Sequence, residues 1–292
     1  MNIGLIDVDG HNWPNLPLMK LSAHHKRRGD KVDWWNGLEA YDRVYMSKVF
    51  AESQDMNFAI RAEEVIYGGT GYGLKTKLSE EVEHTMPDYS LYPQYSEAYG
   101  FLTRGCPRAC GFCIVSEKEG RKSVKVANLS EFWSGQKSIK LLDPNLLACR
   151  EADDLLVQLA QSRVSVDFTQ GLDARLLDKS RADLLKKVKL KMVHFAWDDP
   201  NDNLGQKLEE IRGWLGLNRS NMVAYVLTNF NSTHEGDLHR VNTLRAIGVD
   251  PYVMIYDKQN APQTTRHLAR WVNNKRIFYT VSTFAEYSAK IG

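Results

Sequence analysis

The chain has 292 residues, of which 43% are apolar and 25% charged. That is too apolar for disorder and long enough for one large domain or two modest ones. Lys+Arg 38 against Asp+Glu 36 leaves a net charge of +2, which excludes a strong general pull toward nucleic acid or anionic membrane. No window approaches the ~18 consecutive apolar residues of a membrane span. The opening MNIGLIDVDGHNW has no basic n-region, and Asp7 breaks its apolar run. It reads as a first strand and not as a signal peptide, so a cytoplasmic protein is expected.

Residues 1–75 are expected to form a small parallel α/β domain. Strands are expected at Ile3–Val8, Lys31–Trp35, Tyr41–Val49 and Glu64–Tyr67, and a helix at Pro17–Arg28. The helix has a thin apolar stripe, Leu18 and Leu21 with His25 next on that face. Pro17 suits its first turn, and Lys26, Arg27 and Arg28 suit the negative end of its dipole. Residues 76–98 hold two prolines and three tyrosines, with Tyr99 just beyond, without a clear period, and read as a linker along the surface.

From residue 99 to 260 the strand–helix alternation is clearer. Strands are expected at Tyr99–Thr103, Ser138–Leu142, Val164–Phe168, Lys191–Trp197, Met222–Leu227 and Pro251–Tyr256. Helices are expected at Glu151–Ser162, Lys179–Lys187, Leu204–Leu215, Glu235–Ala246 and Gln263–Val272. Six such units with right-handed crossovers give an α/β fold of the partial (β/α)6 barrel type, short of the eightfold form. Residues 261–292 are expected to form a C-terminal helical extension. Its Arg266–Arg276 stretch reads as a solvated basic helix end, with a phosphate contact as the other reading.

Ligands of parallel α/β sheets bind where strands end. The second of the six strands ends in Asp143-Pro144-Asn145. The third ends in Thr169-Gln170, with Asp173 and Arg175 just beyond. The fourth ends in Trp197-Asp198-Asp199, the fifth in Thr228-Asn229 and the sixth in Asp257-Lys258. Strands commonly end in polar loops, but here every strand turns polar at one edge.

The first strand runs into GFLTRGCPRACGFC, where Cys106, Cys110 and Cys113 form C-x-x-x-C-x-x-C. Three thiolates on one loop can hold three corners of an iron–sulfur cube and leave the fourth iron open to a small molecule. The alternative is a zinc site completed by Cys149, although zinc sites normally use C-x-x-C pairs. Cys149 stands at a helix start and reads as a small packed hydrophobe.

C-x-x-x-C-x-aromatic-C at the end of a first barrel strand, with Phe112 as the aromatic, resembles the radical S-adenosylmethionine superfamily. The resemblance covers about residues 99–260. It implies a radical enzyme whose [4Fe–4S] cluster is ligated by Cys106, Cys110 and Cys113. S-adenosyl-L-methionine would chelate the open iron and be cleaved to a 5′-deoxyadenosyl radical. An electron donor such as flavodoxin or ferredoxin would be its partner. Asp143 and Asn145 would meet the methionine amino group. Gln170, Asp173 and Asp198 are candidates for the ribose. Asn229 stands where the family commonly has a Gly-rich turn under the adenine. The substrate is not implied, and nucleic acid is one class among several. The competing readings are a non-catalytic iron–sulfur protein that transfers electrons or holds a partner, and a zinc-binding protein.

Residues 1–75 also resemble the cobalamin-binding Rossmann-like domain that precedes many such barrels. Asp9-Gly10-His11 matches the start of D-x-H-x-x-G, and Ser47-Lys48-Val49 and Gly68-Gly69 follow. His11 would be the cobalt ligand, with Asp9 orienting its other ring nitrogen. Pro14 stands where the motif has glycine, so the domain is read as degenerate and cobalamin as not required.

Overall fold

The computed structural model describes residues 1–56 and 58–288. They form an α/β protein with two parallel sheets, divided into two compact units. One unit takes residues 1–100 and 127–139, the other residues 101–126 and 140–292.

The first unit is built on β1 (Asn2–Asp7), α1 (Leu16–Arg27), β2 (Lys31–Trp34), β3 (Tyr41–Ser47) and β4 (Ala62–Gly68). The sheet order is β2-β1-β3-β4, and all three pairings are parallel. Asn15 caps α1 by accepting from the Leu18 amide, and His24, His25, Lys26 and Arg27 fill its last turn. The thin stripe of α1 is completed by His25 itself. His25 is buried because Nδ1 meets Asp30 Oδ2 at 2.6 Å and Nε2 meets the Tyr45 hydroxyl at 3.0 Å. Among the described residues from β1 to β4, α1 is the one helix between strands.

Residues 76–98 do more than run along a surface. They form α2 (Glu80–Glu83) and a 3-10 turn at Tyr89–Leu91. Val82, Leu91 and Tyr92 are buried in one cluster with Ile3, Leu5, Leu18 and Met19. The Tyr92 hydroxyl donates to Asp7 at 2.7 Å, and that of Tyr89 donates to the Phe132 carbonyl at 2.5 Å. The elements are too short to show a period in the sequence.

The second sheet uses β5 (Ala98–Gly100), β8 (Ser138–Leu141), β9 (Ser165–Leu172), β10 (Leu190–Ala196), β11 (Met222–Thr228) and β12 (Asp250–Ile255). Its order is β12-β11-β10-β9-β8-β5, so each strand lies beside the one before it in this set. A separate antiparallel pair, β6 (Thr103–Arg104) with β7 (Val124–Lys125), holds a four-residue helix α3 (Val115–Lys118) between its strands. The connecting helices are α4 (Ala152–Ser162), α5 (Lys179–Leu185), α6 (Gly205–Leu215), α7 (His234–Ala246) and α8 (Gln263–Asn273), followed by α9 (Lys275–Thr280). These elements lie where the apolar spacing puts them. Leu155, Leu156 and Leu159 of α4 are fully buried.

Burial alternates along the central strands. Val166 and Phe168, Val193 and Phe195, and Ala224 and Val226 are sealed. The residues between them, Asp167, His194 and Tyr225, are only half buried. One sheet face is therefore closed and the other partly open. In the C-terminal extension Trp271 is fully buried against Phe278 and Phe284, so it is a core residue and not a phosphate contact. Among the described residues, no helix is long and apolar enough to cross a membrane.

Two strands differ from the sequence pattern. The stretch expected as one strand at Tyr99–Thr103 is two, because the Leu102 and Thr103 amides donate to the Asp143 carboxylate instead of to a sheet neighbour. The strand expected to end at Phe168 continues to Leu172 through a bulge. Val193 pairs with Phe168 but Phe195 with Leu172, and Gly171 takes φ +99° in the bulge.

Candidate functional site

The three cysteines lie on the loop between β6 and β7. The Cys106 amide donates to the Gly120 carbonyl at 3.1 Å, and the Cys113 amide donates to the Cys110 carbonyl at 3.0 Å. Gly105 opens the loop at φ +84°, and a Cβ there would stand 2.1 Å from the Lys122 carbonyl oxygen. Only glycine meets both demands. Arg104 and Glu119 close the base of the loop at 2.8 Å, while Glu119 also accepts from the Gly105 amide at 3.0 Å.

Cys106, Cys110 and Cys113 are unpaired and half buried. Burial raises the Cys110 thiol above its ordinary range, and the charges of Cys113, Cys106 and Asp198 push it the same way. The three thiols and Asp198 thus share one electrostatic neighbourhood. Cys149 is elsewhere engaged: it is 2% exposed and its Sγ–H donates to Glu151 Oε2 at 3.1 Å. Burial and that bond raise its thiol as well. Among the described residues, no three His, Cys, Asp or Glu side chains converge as the ligands of a single metal ion. A cube takes its cysteines one per corner, so thiols that hold one need not converge on a single ion.

Asp143, expected to meet an ammonium group, is 4% exposed and faces its own unit's backbone. Its Oδ1 accepts from the Thr103 amide at 2.5 Å, the Thr103 hydroxyl at 2.7 Å and the Leu102 amide at 3.1 Å. Burial raises its pKa to about 6, with those bonds opposing. It anchors the chain that enters the cysteine loop. Asp173 is likewise committed. Its carboxylate caps the turn at Ala174–Leu176, accepts from Arg175 Nε at 2.8 Å and accepts from Arg108 Nε at 2.7 Å. Arg108 sits between the first two cysteines, so Asp173 ties the end of β9 to the loop. Arg175 also pairs with Asp202.

Asn145 is 3% exposed, and its Nδ2 donates to Cys106 Sγ at 3.5 Å. Its Oδ1 is buried without a hydrogen-bond partner. A buried amide oxygen left unmet beside the Cys106 thiol is suited to a donor such as an ammonium. Asp198 is half buried, and burial raises its pKa to about 6, with the charges of Arg240 and Arg175 pulling it back. Gln170 is exposed on the bulged stretch of β9. Asn229 takes φ +63° and donates through Nδ2 to the Tyr256 carbonyl at 2.8 Å, so its amide joins the ends of β11 and β12.

Three residues of this region carry no motif. Phe230 lies 5.5 Å from the Phe112 ring and 5.0 Å from that of Tyr256, and walls one side of the loop. Arg108 is the loop's tether. Arg240 of α7 is 1% exposed and donates to the carbonyls of Trp197 at 2.5 Å, Asp198 at 3.2 Å and Leu227 at 2.8 Å, and to Asp237 at 2.6 Å. Asp237, three residues before it on the same helix, is the signal the sequence holds.

In the first unit, Asp9 does not orient His11. Its carboxylate accepts from the Val49 amide at 2.5 Å, the Phe50 amide at 3.3 Å and the Ser53 hydroxyl at 2.5 Å. The His11 ring packs against Trp34, 4.1 Å between centroids.

No family model matches the chain, and no curated protein matches it.

Proposed function

We propose that the chain is a radical S-adenosylmethionine enzyme, with Cys106, Cys110 and Cys113 as the residues that would hold a [4Fe–4S] cluster. The observation that carries this reading is the donor set: three unpaired, half-buried thiols on one loop, with the orphaned Oδ1 of Asn145 beside Cys106. Three soft thiolates without a fourth suit a cluster with one open iron. When bound, the cluster supplies the electron that breaks a carbon–sulfur bond of S-adenosylmethionine.

The chain's own residues bind and position. Asn145 Oδ1 accepts from the ammonium of the methionine moiety. Asp198 accepts from a hydroxyl or ammonium when ionised. Asp143, Asp173 and Arg108 hold the loop in place. Phe112 and Phe230 shield it from water. The sequential strand order and the partly open face support reading the second sheet as an incomplete (β/α)6 barrel. The order β2-β1-β3-β4 supports reading the first as a degenerate Rossmann-like domain. Cobalamin has no part in the proposal. A reducing, cytoplasmic setting with a flavodoxin or ferredoxin as electron donor completes it.

The test is anaerobic reconstitution with iron and sulfide, reduction with dithionite, and chromatography for 5′-deoxyadenosine. Slow formation without substrate is expected. A fully loaded cluster that gives none, and whose paramagnetic spectrum is unchanged by S-adenosylmethionine, would leave a passive iron–sulfur protein.

A further inference from the structure

The partly open face of the second sheet carries a cluster that the cysteine loop does not use. His194 of β10 and Tyr225 of β11 stack 5.2 Å apart at 8°, and Tyr252 of β12 meets Tyr225 edge-on at 5.9 Å. The ladder is fixed from below. His194 Nδ1 lies 3.1 Å from the Phe168 carbonyl, and the Tyr225 hydroxyl donates to the Thr169 carbonyl at 2.8 Å. Beside it on β9, Asp167 Oδ1 and Thr169 Oγ1 are buried without hydrogen-bond partners.

These groups define what is missing. A carboxylate only accepts. Burial lowers the pKa of His194, with the Lys140 charge adding, and the Asp167 charge and the Phe168 carbonyl opposing. Its Nδ1 stands 3.6 Å from Asp167 Oδ1, beyond hydrogen-bond distance. In the neutral ring, with the Nδ1 proton given to Phe168, Nε2 holds a lone pair. The face thus offers acceptors and aromatic rings, with Tyr252 39% exposed. A buried carboxylate oxygen without a partner suits a charge-assisted donor, and an aromatic ring face beside it favours a cation.

We infer that this face binds a nitrogen cation, an amine or guanidine group of a small substrate, with Asp167 as its acceptor and Tyr225 and Tyr252 as its aromatic wall. The assignment names a substrate class for the reaction proposed above and rests on that reading for its purpose. The binding itself needs no cluster.

Agmatine, which carries both an amine and a guanidine, serves as the probe, and glucose as a neutral polyol. The imidazole resonances of isotope-labelled full-length protein are followed in titrations, with and without reconstituted cluster, and His194→Gln identifies the relevant signal. Agmatine should shift the His194 signals saturably and glucose should not. Asp167→Asn should weaken agmatine at least ~10-fold, the loss of one charge-assisted bond. Tyr252→Leu, at an exposed position, should weaken it several-fold and decides the matter if Asp167→Asn fails to fold. No saturable shift, an affinity untouched by either variant, or equal binding of glucose would overturn the assignment. Because 5′-deoxyadenosine is not the readout, failure here and failure of the radical reading are seen separately.

Discussion

Arg108 and Asp173 form an ion pair of 2.7 Å that fastens the cysteine loop to the end of β9, with the Asp173 side chain only 4% exposed. Arg108 lies among the candidate ligands, so the pair acts on loop geometry. Asp173→Ala and Arg108→Ala should each lower iron retention during gel filtration. The double variant should lose little more than either single one, the mark of a shared interaction. Additive losses would show that the two side chains act independently.

Iron content should separate the four cysteines. Cys106→Ala, Cys110→Ala and Cys113→Ala should each lose most of the iron taken up on reconstitution. Cys149→Ala should keep it, since that thiol is spent on Glu151. Equal losses in Cys110→Ala and Cys149→Ala would point to a four-cysteine site.

Asp143 gives a pH dependence with a definite sign. Its folded pKa of about 6 lies above the ordinary aspartate range, so the folded state takes up the proton more readily. Stability from this group is fully present below the unfolded pKa and is lost as pH rises through about 6. Asp143→Asn keeps an oxygen for the Thr103 and Leu102 donors and should flatten the melting profile between about pH 4 and 7. Asp143→Leu leaves those donors unmet, at about 1–3 kcal/mol for each. Thermal melts of the three proteins across that range provide the comparison.

Much of the second unit is readable from its sequence because helices such as α4 carry a regular apolar stripe and the central strands alternate apolar residues with polar or aromatic ones. Leu155, Leu156 and Leu159 mark α4 without help from the rest of the chain. Direction is what the sequence hides. An aspartate just past a strand is the same letter whether it faces a ligand or turns back to its neighbours' amides. Asp143 and Asp173 turned back, and Asn145 kept an oxygen free of partners. His25 hides for a related reason. It fills an apolar position only because Asp30 and Tyr45, brought in by folding, satisfy both nitrogens. Residues 76–98 hide because burial there comes from isolated residues such as Tyr92 and not from a repeat.

Arg240 makes a sharper test of packing. Arg240→Met leaves Asp237, 3% exposed, without its counter-charge and three carbonyls without a donor. A loss of about 3–5 kcal/mol is expected by urea denaturation. Adding Asp237→Leu should recover part of it. A single variant as stable as the parent would show that the clamp is dispensable.

Gly105→Ala should fail differently, because it combines a left-handed φ with a 2.1 Å approach to the Lys122 carbonyl. The strain costs about 1–3 kcal/mol or shifts the loop. Iron uptake should fall while the far-ultraviolet circular dichroism of the chain holds.

The first unit takes in residues 127–139 as well as 1–100. Leu129 and Phe132, 6% and 2% exposed, are made only after all three clustered cysteines. During synthesis the N-terminal body therefore waits, unfinished, while the thiols leave the ribosome. A fragment cut at residue 100 would carry Tyr89 without its Phe132 acceptor and would be a poor stand-in for the N-terminal body. The later strands have no such delay. Each reaches a neighbour already made, so the second sheet can grow outward at the pace of translation, from β8 to β12.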